Sequence, residues 1–90
     1  MKTVWKFPFD VIDDEIVINM PAGAKILLVE CQNKVPCLWA EVDSASELES
    51  YRFAIVGTGH PVPEDLHLEH IGSFQDPPFV WHLYHIRETP

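Results

Sequence analysis

The sequence predicts an all-β fold: a small antiparallel sandwich or a partly open barrel of six to seven strands, with at most one or two short helical turns. Apolar and polar residues alternate over short stretches, and turns containing proline or glycine separate those stretches. The strand–helix–strand alternation that is typical of a parallel sheet is missing. The length of 90 residues and a hydrophobic content of 47% indicate a single domain, 1–90, with its own core.

The first half of the chain predicts four strands. Val4–Phe9 alternates between apolar and polar residues, and Pro8 predicts an edge strand because proline has no N–H to donate. Glu15–Met20 alternates in the same way. Lys25–Gln32 is apolar on both faces, which predicts a central strand, and Val35–Val42 returns to alternation.

The second half predicts three more strands and two places for a single helical turn. Polar residues 43–50 have a helix-capping pattern, and Glu64-Asp65 suit the first turn of another helix. The strands are predicted at Tyr51–Val56, Leu68–Phe74 and Phe79–Ile86. Because the last strand is bulky and apolar on both faces, we expect one outer sheet face to be covered, for example in a homodimer or higher homo-oligomer.

The two cysteines are predicted to be free thiols. Cys31 and Cys37 flank Asn33-Lys34, and a two-residue hairpin turn there pairs Cys31 with Pro36. The two sulfur atoms then point to opposite faces of the sheet and cannot form a disulfide. A three-residue loop, the alternative, would place the cysteines opposite each other.

The charge of the chain argues against nucleic acid as a partner. With 14 acidic and 6 basic residues the net charge is −8, whereas a nucleic-acid binder needs Lys and Arg to neutralise phosphates. Since no membrane-spanning run and no signal peptide are recognisable, we expect a cytoplasmic protein. Its acidic residues either keep the protein soluble or form an interaction surface for a basic protein partner; that surface is predicted at Asp10, Asp13, Asp14, Asp43, Glu47 and Glu49.

The sequence predicts no catalytic residues, no metal site and no cofactor. The five histidines lack the usual spacings of metal ligands, the serines lack a G-x-S-x-G context, and both cysteines lie inside predicted strands. We therefore do not expect an enzyme. A metal-dependent enzyme that combines His60 with other histidines is the least favoured alternative.

The most distinctive loop follows the fifth predicted strand. Two glycines permit a sharp turn or a close approach, and the prolines that follow fix the exit path. The third glycine of a dinucleotide fingerprint and the lysine of a phosphate-binding loop are both missing, and nearby acids would repel a phosphate. The loop is either a purely structural turn or a loop for a ligand or partner, formed by Gly57, Thr58, Gly59 and His60.

Five segments, spread over nearly the whole chain, are distinctive: Trp5–Pro8, Met20–Leu27, Val35–Ala40, Phe53–Pro63 and Ile71–Gln75. Together they resemble a family of small proteins of unknown activity found in phages and prophages. The Gly-Thr-Gly-His segment is the most recognisable mark of that family. The resemblance implies a short acidic accessory protein that acts in an infected bacterial cytoplasm, and it implies no catalytic residue.

These observations predict a non-enzymatic protein that acts by protein–protein interaction. Its most specific version is an acidic inhibitor of a host defence complex, an expectation that comes from the resemblance and the net charge. The alternative is an oligomer that binds or sequesters a small, nucleotide-like signal molecule at the 57–60 loop.

Overall fold

The computed structural model describes residues 1–88, which form seven strands in two antiparallel sheets. Sheet A has the order β1-β4-β3 and sheet B has the order β2-β5-β7-β6. The two sheets do not close into a barrel, so the predicted sandwich is the correct alternative. The strands are β1 Lys2–Pro8, β2 Glu15–Pro21, β3 Lys25–Gln32, β4 Val35–Asp43, β5 Leu48–Gly57, β6 His67–Asp76 and β7 Phe79–Arg87.

The core lies between the two sheets and consists of the side chains that point inward from alternate positions along the strands. Three core residues have no exposed area: Leu38 on β4, Phe53 on β5 and Leu83 on β7. Ile18 and Met20 add the inner face of β2, as the alternation of that strand predicts. Burial of such apolar side chains, at roughly 25 cal/mol per Å², is the main term that stabilises a fold of this size.

The structure confirms the predicted edge position of β1 and corrects the position of β3. Pro8 ends β1, which pairs with β4 alone. β3 was predicted to be central but is the other edge of sheet A. Only one face of β3 can pack against sheet B, because the sandwich has two sheets. A bulge between Ile26 and Leu28 changes the register, and both Leu27 and Leu28 stay about half exposed.

Neither of the two predicted helical turns forms within residues 1–88. Residues 44–47 are a short turn, in which Ser46 N–H donates to Asp43 O, and β5 already begins at Leu48. The Glu64-Asp65 segment is a bend. Pairing of β5 with β2 competes successfully with the weak local capping signals, since a helix of one turn carries a nucleation cost and few hydrogen bonds. No helix of the described residues could cross a membrane.

The β3–β4 hairpin confirms the prediction for the cysteines. Asn33 and Lys34 both have positive φ, at 51° and 68°, as a two-residue type I′ turn requires. The register pairs Cys31 with Pro36, so Cys31 and Cys37 lie on opposite faces of sheet A. Both are free thiols; Cys37 is buried and Cys31 half-buried.

The register also defines two ends of the sandwich. We call the end that carries the 57–60 loop the loop end; it also carries residues 9–14, the 33–34 turn and the 77–78 turn. The opposite end, here called the amino end, carries Met1, residues 22–24 and the 44–47 turn. Because β5 and β6 both run antiparallel to β7, residues 58–66 must cross the sheet from the loop end to the amino end.

This crossover covers part of the outer face of sheet B. Ala54 and Val56 point away from the core by register, yet they are only 3% and 7% exposed. They line one cavity together with crossover residues 61–63. Part of the apolar surplus on the outer faces is thus covered by the chain itself.

Candidate functional site

The 57–60 loop is a tight turn with a positive-φ glycine at position 59 and a closely packed glycine at position 57. His60 N–H donates to Gly57 O across 2.9 Å, and Gly59, the third residue of the turn, has φ of 88°. A Cβ on Gly57 would lie 3.0 Å from His60 Nδ1 and 3.1 Å from Trp81 Cζ3. The predicted sharp turn and close approach are therefore both present, and the partner in that approach is the ring of His60 itself.

A cavity of about 460 Å³ lies beside this turn. β5 extends beyond the first pair of β2, which joins Glu15 to Ala54, so residues 55–57 leave a notch at the loop end. Crossover residues 61–63 form one apolar wall, and Trp81 lines another side. Two residues that can carry charge also line the cavity, Asp14 and His60.

The cavity joins two predicted sites that are far apart in sequence. Asp14 belongs to the first acidic triplet, Asp10, Asp13 and Asp14, and its carbonyl oxygen accepts from Ile55 N–H of β5 across 2.8 Å. That hydrogen bond holds the acidic segment against the strand that leads into the 57–60 loop. All three carboxylates of the triplet are exposed, and none takes part in an ion pair within residues 1–88.

The second acidic triplet lies at the other end of the molecule. Asp43 ends β4 and Glu49 pairs with Met20 near the start of β5, while Glu47 lies in the connection between these strands. The two triplets therefore cannot form one continuous surface. Only the first triplet adjoins the 57–60 loop.

Asp43 has a structural role at the amino end. Its Oδ1 accepts from Ala45 N–H at 3.1 Å and lies 3.2 Å from the amino group of Met1. The hydrogen bond from Ala45, followed by that of the amino-terminal ammonium group, lowers the pKa of this carboxyl. These contacts join the start of β1 to the end of β4.

The reverse side of the 57–60 loop carries a hydrogen-bonded group that the sequence analysis missed. Thr58 Oγ1 is 2.9 Å from Nε2 of His82, and Ser73 Oγ is 2.7 Å from its Nδ1. The sequence did contain a signal: a two-residue turn at Pro77-Pro78 pairs Ser73 with His82, by the same arithmetic that separated the two cysteines.

His85 faces the core at the amino end, beside the ion pair between Glu69, its partner on β6, and Arg87. Its ring lies between those of Tyr51 and Phe53, with centroids at 5.7 Å and 5.3 Å. Burial, followed by the nearby charge of Arg87, lowers the pKa of His85, while Glu69 acts in the opposite direction. Within residues 1–88 no three His, Cys, Asp or Glu side chains are grouped so that they could hold a metal ion.

The family comparison covers the whole chain. A model described as "Domain of unknown function (DUF7352)" matches residues 1–90, so the chain belongs to that family. Nothing among the curated proteins or the solved structures matches the chain.

Proposed function

Because membership of the DUF7352 family assigns no activity, we propose a function from the loop end: the protein binds a partner protein by capturing a Lys or Arg side chain in the cavity beside the 57–60 loop. The proposal rests on one observation, that the 57–60 loop and Asp14 of the first acidic triplet line the same cavity. In this role the protein acts by protein–protein interaction. We place its action in the bacterial cytoplasm, following the resemblance to phage-encoded accessory proteins.

The chemistry of the cavity suits a long basic side chain. Apolar walls from residues 61–63 pack against the methylene groups of such a side chain, which keep their hydrophobic character up to the charged head. The face of Trp81 attracts a cation through its π electrons, and Asp14 offers a carboxylate. A guanidinium group uses both features, since it stacks on aromatic rings and donates paired hydrogen bonds.

The surrounding charge favours a cation over an anion. Asp10 and Asp13 lie in the same exposed segment as Asp14, no Lys or Arg lines the cavity, and the chain carries a net charge of −8. The resulting negative electrostatic field attracts a basic protein surface and speeds association with it at low salt. The same field disfavours a phosphate-bearing ligand, which weakens the nucleotide-like alternative. A host defence complex with a basic surface remains the most specific partner of this kind.

The test uses a fluorescently labelled oligoarginine peptide, with fluorescence anisotropy as the readout. We expect Asp14→Asn to weaken binding about three- to tenfold, a free-energy change on the order of 1 kcal/mol. The same peptide with citrulline in place of arginine keeps the shape, loses the charge and should bind much more weakly. Affinity for the arginine peptide should fall as salt rises.

Two variants with the same change in charge separate a cavity from a diffuse acidic surface. The two variants are Asp10→Asn and Glu47→Gln. Asp10 lies in the same segment as Asp14 but does not line the cavity, and Glu47 lies at the amino end. Both should weaken binding less than Asp14→Asn does. Equal losses in all three variants, or binding that does not respond to salt, would contradict the proposal.

A further inference from the structure

Thr58, Ser73 and His82 form a second arrangement, on the outer face of sheet B. They come from three neighbouring segments: Ser73 on β6 pairs with His82 on β7, and Thr58 follows directly after β5. His82 is the middle member, with its two ring nitrogens 2.7 Å from Ser73 Oγ and 2.9 Å from Thr58 Oγ1. The group does not line the loop-end cavity.

The backbone favours one direction for these hydrogen bonds. Thr58 N–H and Oγ1 both lie 3.3 Å from Val80 O, and a carbonyl oxygen can only accept. We assign the Thr58 hydroxyl as a donor to Val80 O, which leaves a lone pair to accept from His82 Nε2–H. A neutral imidazole with its proton on Nε2 has an unprotonated Nδ1, so the Ser73 hydroxyl donates to that nitrogen.

We propose that Ser73 is an activated nucleophile, with His82 as its general base and Thr58 as the residue that orients His82. A nucleophile within hydrogen-bond reach of a base, with the base held by a third group, is the pattern that activates a serine in acyl transfer. The assignment is independent of the capture of a basic side chain, and it adds an activity that the sequence did not predict.

The substrate class is an ester with a small acyl group. Ser73 also lines a cavity of about 440 Å³ between β6 and β3, where Leu28 and Val29 provide apolar walls. In this proposal the ester carbonyl approaches Ser73 from this cavity. Glu30 lines the same cavity and disfavours an anionic acyl group.

The reaction balances without a cofactor. Ser73 Oγ bonds to the ester carbonyl carbon while His82 Nδ1 accepts the hydroxyl proton. The tetrahedral adduct then breaks its bond to the leaving oxygen, which takes the proton from His82 and departs as an alcohol or phenol. Water then bonds to the acyl carbon while His82 Nδ1 accepts its proton, and the bond between that carbon and Ser73 Oγ breaks. Ser73 Oγ takes the proton back from His82, and the carboxylic acid leaves.

The test follows release of p-nitrophenol from p-nitrophenyl acetate, with peptide mass spectrometry to locate the acetyl group. We expect acetylation at Ser73, its loss in Ser73→Ala, and a rate about 100-fold lower in His82→Gln, a typical effect of removing a general base. Thr58→Val should slow acetylation while Thr58→Ser restores it, which a purely structural role would not produce. Circular dichroism confirms that each variant is folded.

Ser50 provides a matched control on the same sheet. Its hydroxyl is bonded to Asn19 Oδ1 at 3.1 Å and has no histidine contact among the described side chains, so Ser50→Ala should keep the wild-type rate. Three results would each overturn the proposal: equal acetylation of Ser50 and Ser73, no acetylation of Ser73, or unchanged release of p-nitrophenol by His82→Gln.

Discussion

Gly72 lies where the edge strands of the two sheets pack together. A Cβ built on Gly72 would be 2.9 Å from Cγ1 of Val29, which is closer than carbon atoms normally approach. Val29 is 5% exposed and belongs to the core, so it has little freedom to move aside. This contact explains why β6 carries a glycine in the middle of a strand, a position where glycine otherwise costs stability.

We therefore predict that Gly72→Ala lowers the free energy of unfolding by about 1–3 kcal/mol through overpacking. Chemical denaturation with urea measures the change. In the Val29→Ala background the same substitution should cost much less, because the atoms that clash with Cβ have been removed. A double-mutant cycle with a coupling energy near zero would show that the two residues do not share the contact.

The strands themselves were largely predictable, because alternation is a local property of the sequence. The inward faces of β2 and β4 follow from the alternation of Ile16 to Met20 and of Leu38 to Val42. The position of a strand within a sheet is not local. β3 is apolar on both faces like a central strand, yet it lies at an edge, and only its contacts with β4 and β6 decide this.

Three strands meet at His85. We expect protonation of this side chain to make the free energy of unfolding depend on pH. The side chain lies on β7 beside β5 and is 14% exposed, and Glu69 of β6 and Arg87 of β7 are the charged groups nearest to its ring. The pKa of His85 is lowered in the folded state by burial and by Arg87. The unfolded state thus binds the proton more readily, and protonation favours unfolding.

We predict that the free energy of unfolding falls as pH drops through and below about 6.5, the ordinary pKa of histidine, and that the contribution is fully present above that value. Urea titrations between pH 8 and pH 5 measure this. His85→Gln should flatten the pH dependence, whereas His67→Gln, on the exposed start of β6, should retain it. A wild-type slope in His85→Gln would assign the dependence to another group.

At the scale of the whole molecule, the sequence located the 57–60 loop but not its surroundings. The loop stood out because glycine and proline have local conformational meaning. Its contact with Asp14 depends on how far β5 extends past β2, and the link between Ser73 and His82 depends on the exact β6–β7 register. The alternation of apolar and polar residues determines neither the length of that extension nor the β6–β7 register. The same long-range pairing divides the six predicted acidic residues between two ends.

The distribution of acids over both ends gives a final prediction. A net charge of −8 on a small domain repels itself, and the ion pairs of residues 1–88 engage only Glu15, Asp43 and Glu69. Salt screens this repulsion over a Debye length of about 10 Å at 0.1 M. We therefore expect Tm to rise between low salt and about 0.5 M NaCl, a change that differential scanning calorimetry measures.

Charge reversal at the two ends tests whether the repulsion belongs to the whole molecule. Asp13→Lys and Glu47→Lys change the net charge equally, at the loop end and the amino end. If the repulsion is global, both raise Tm at low salt by similar amounts, and both gains shrink at high salt. Of the two, Asp13→Lys alone should greatly weaken binding of the oligoarginine peptide, because it places a positive charge beside the cavity. A gain in Tm from only one of the two variants would mean that the repulsion is confined to that end.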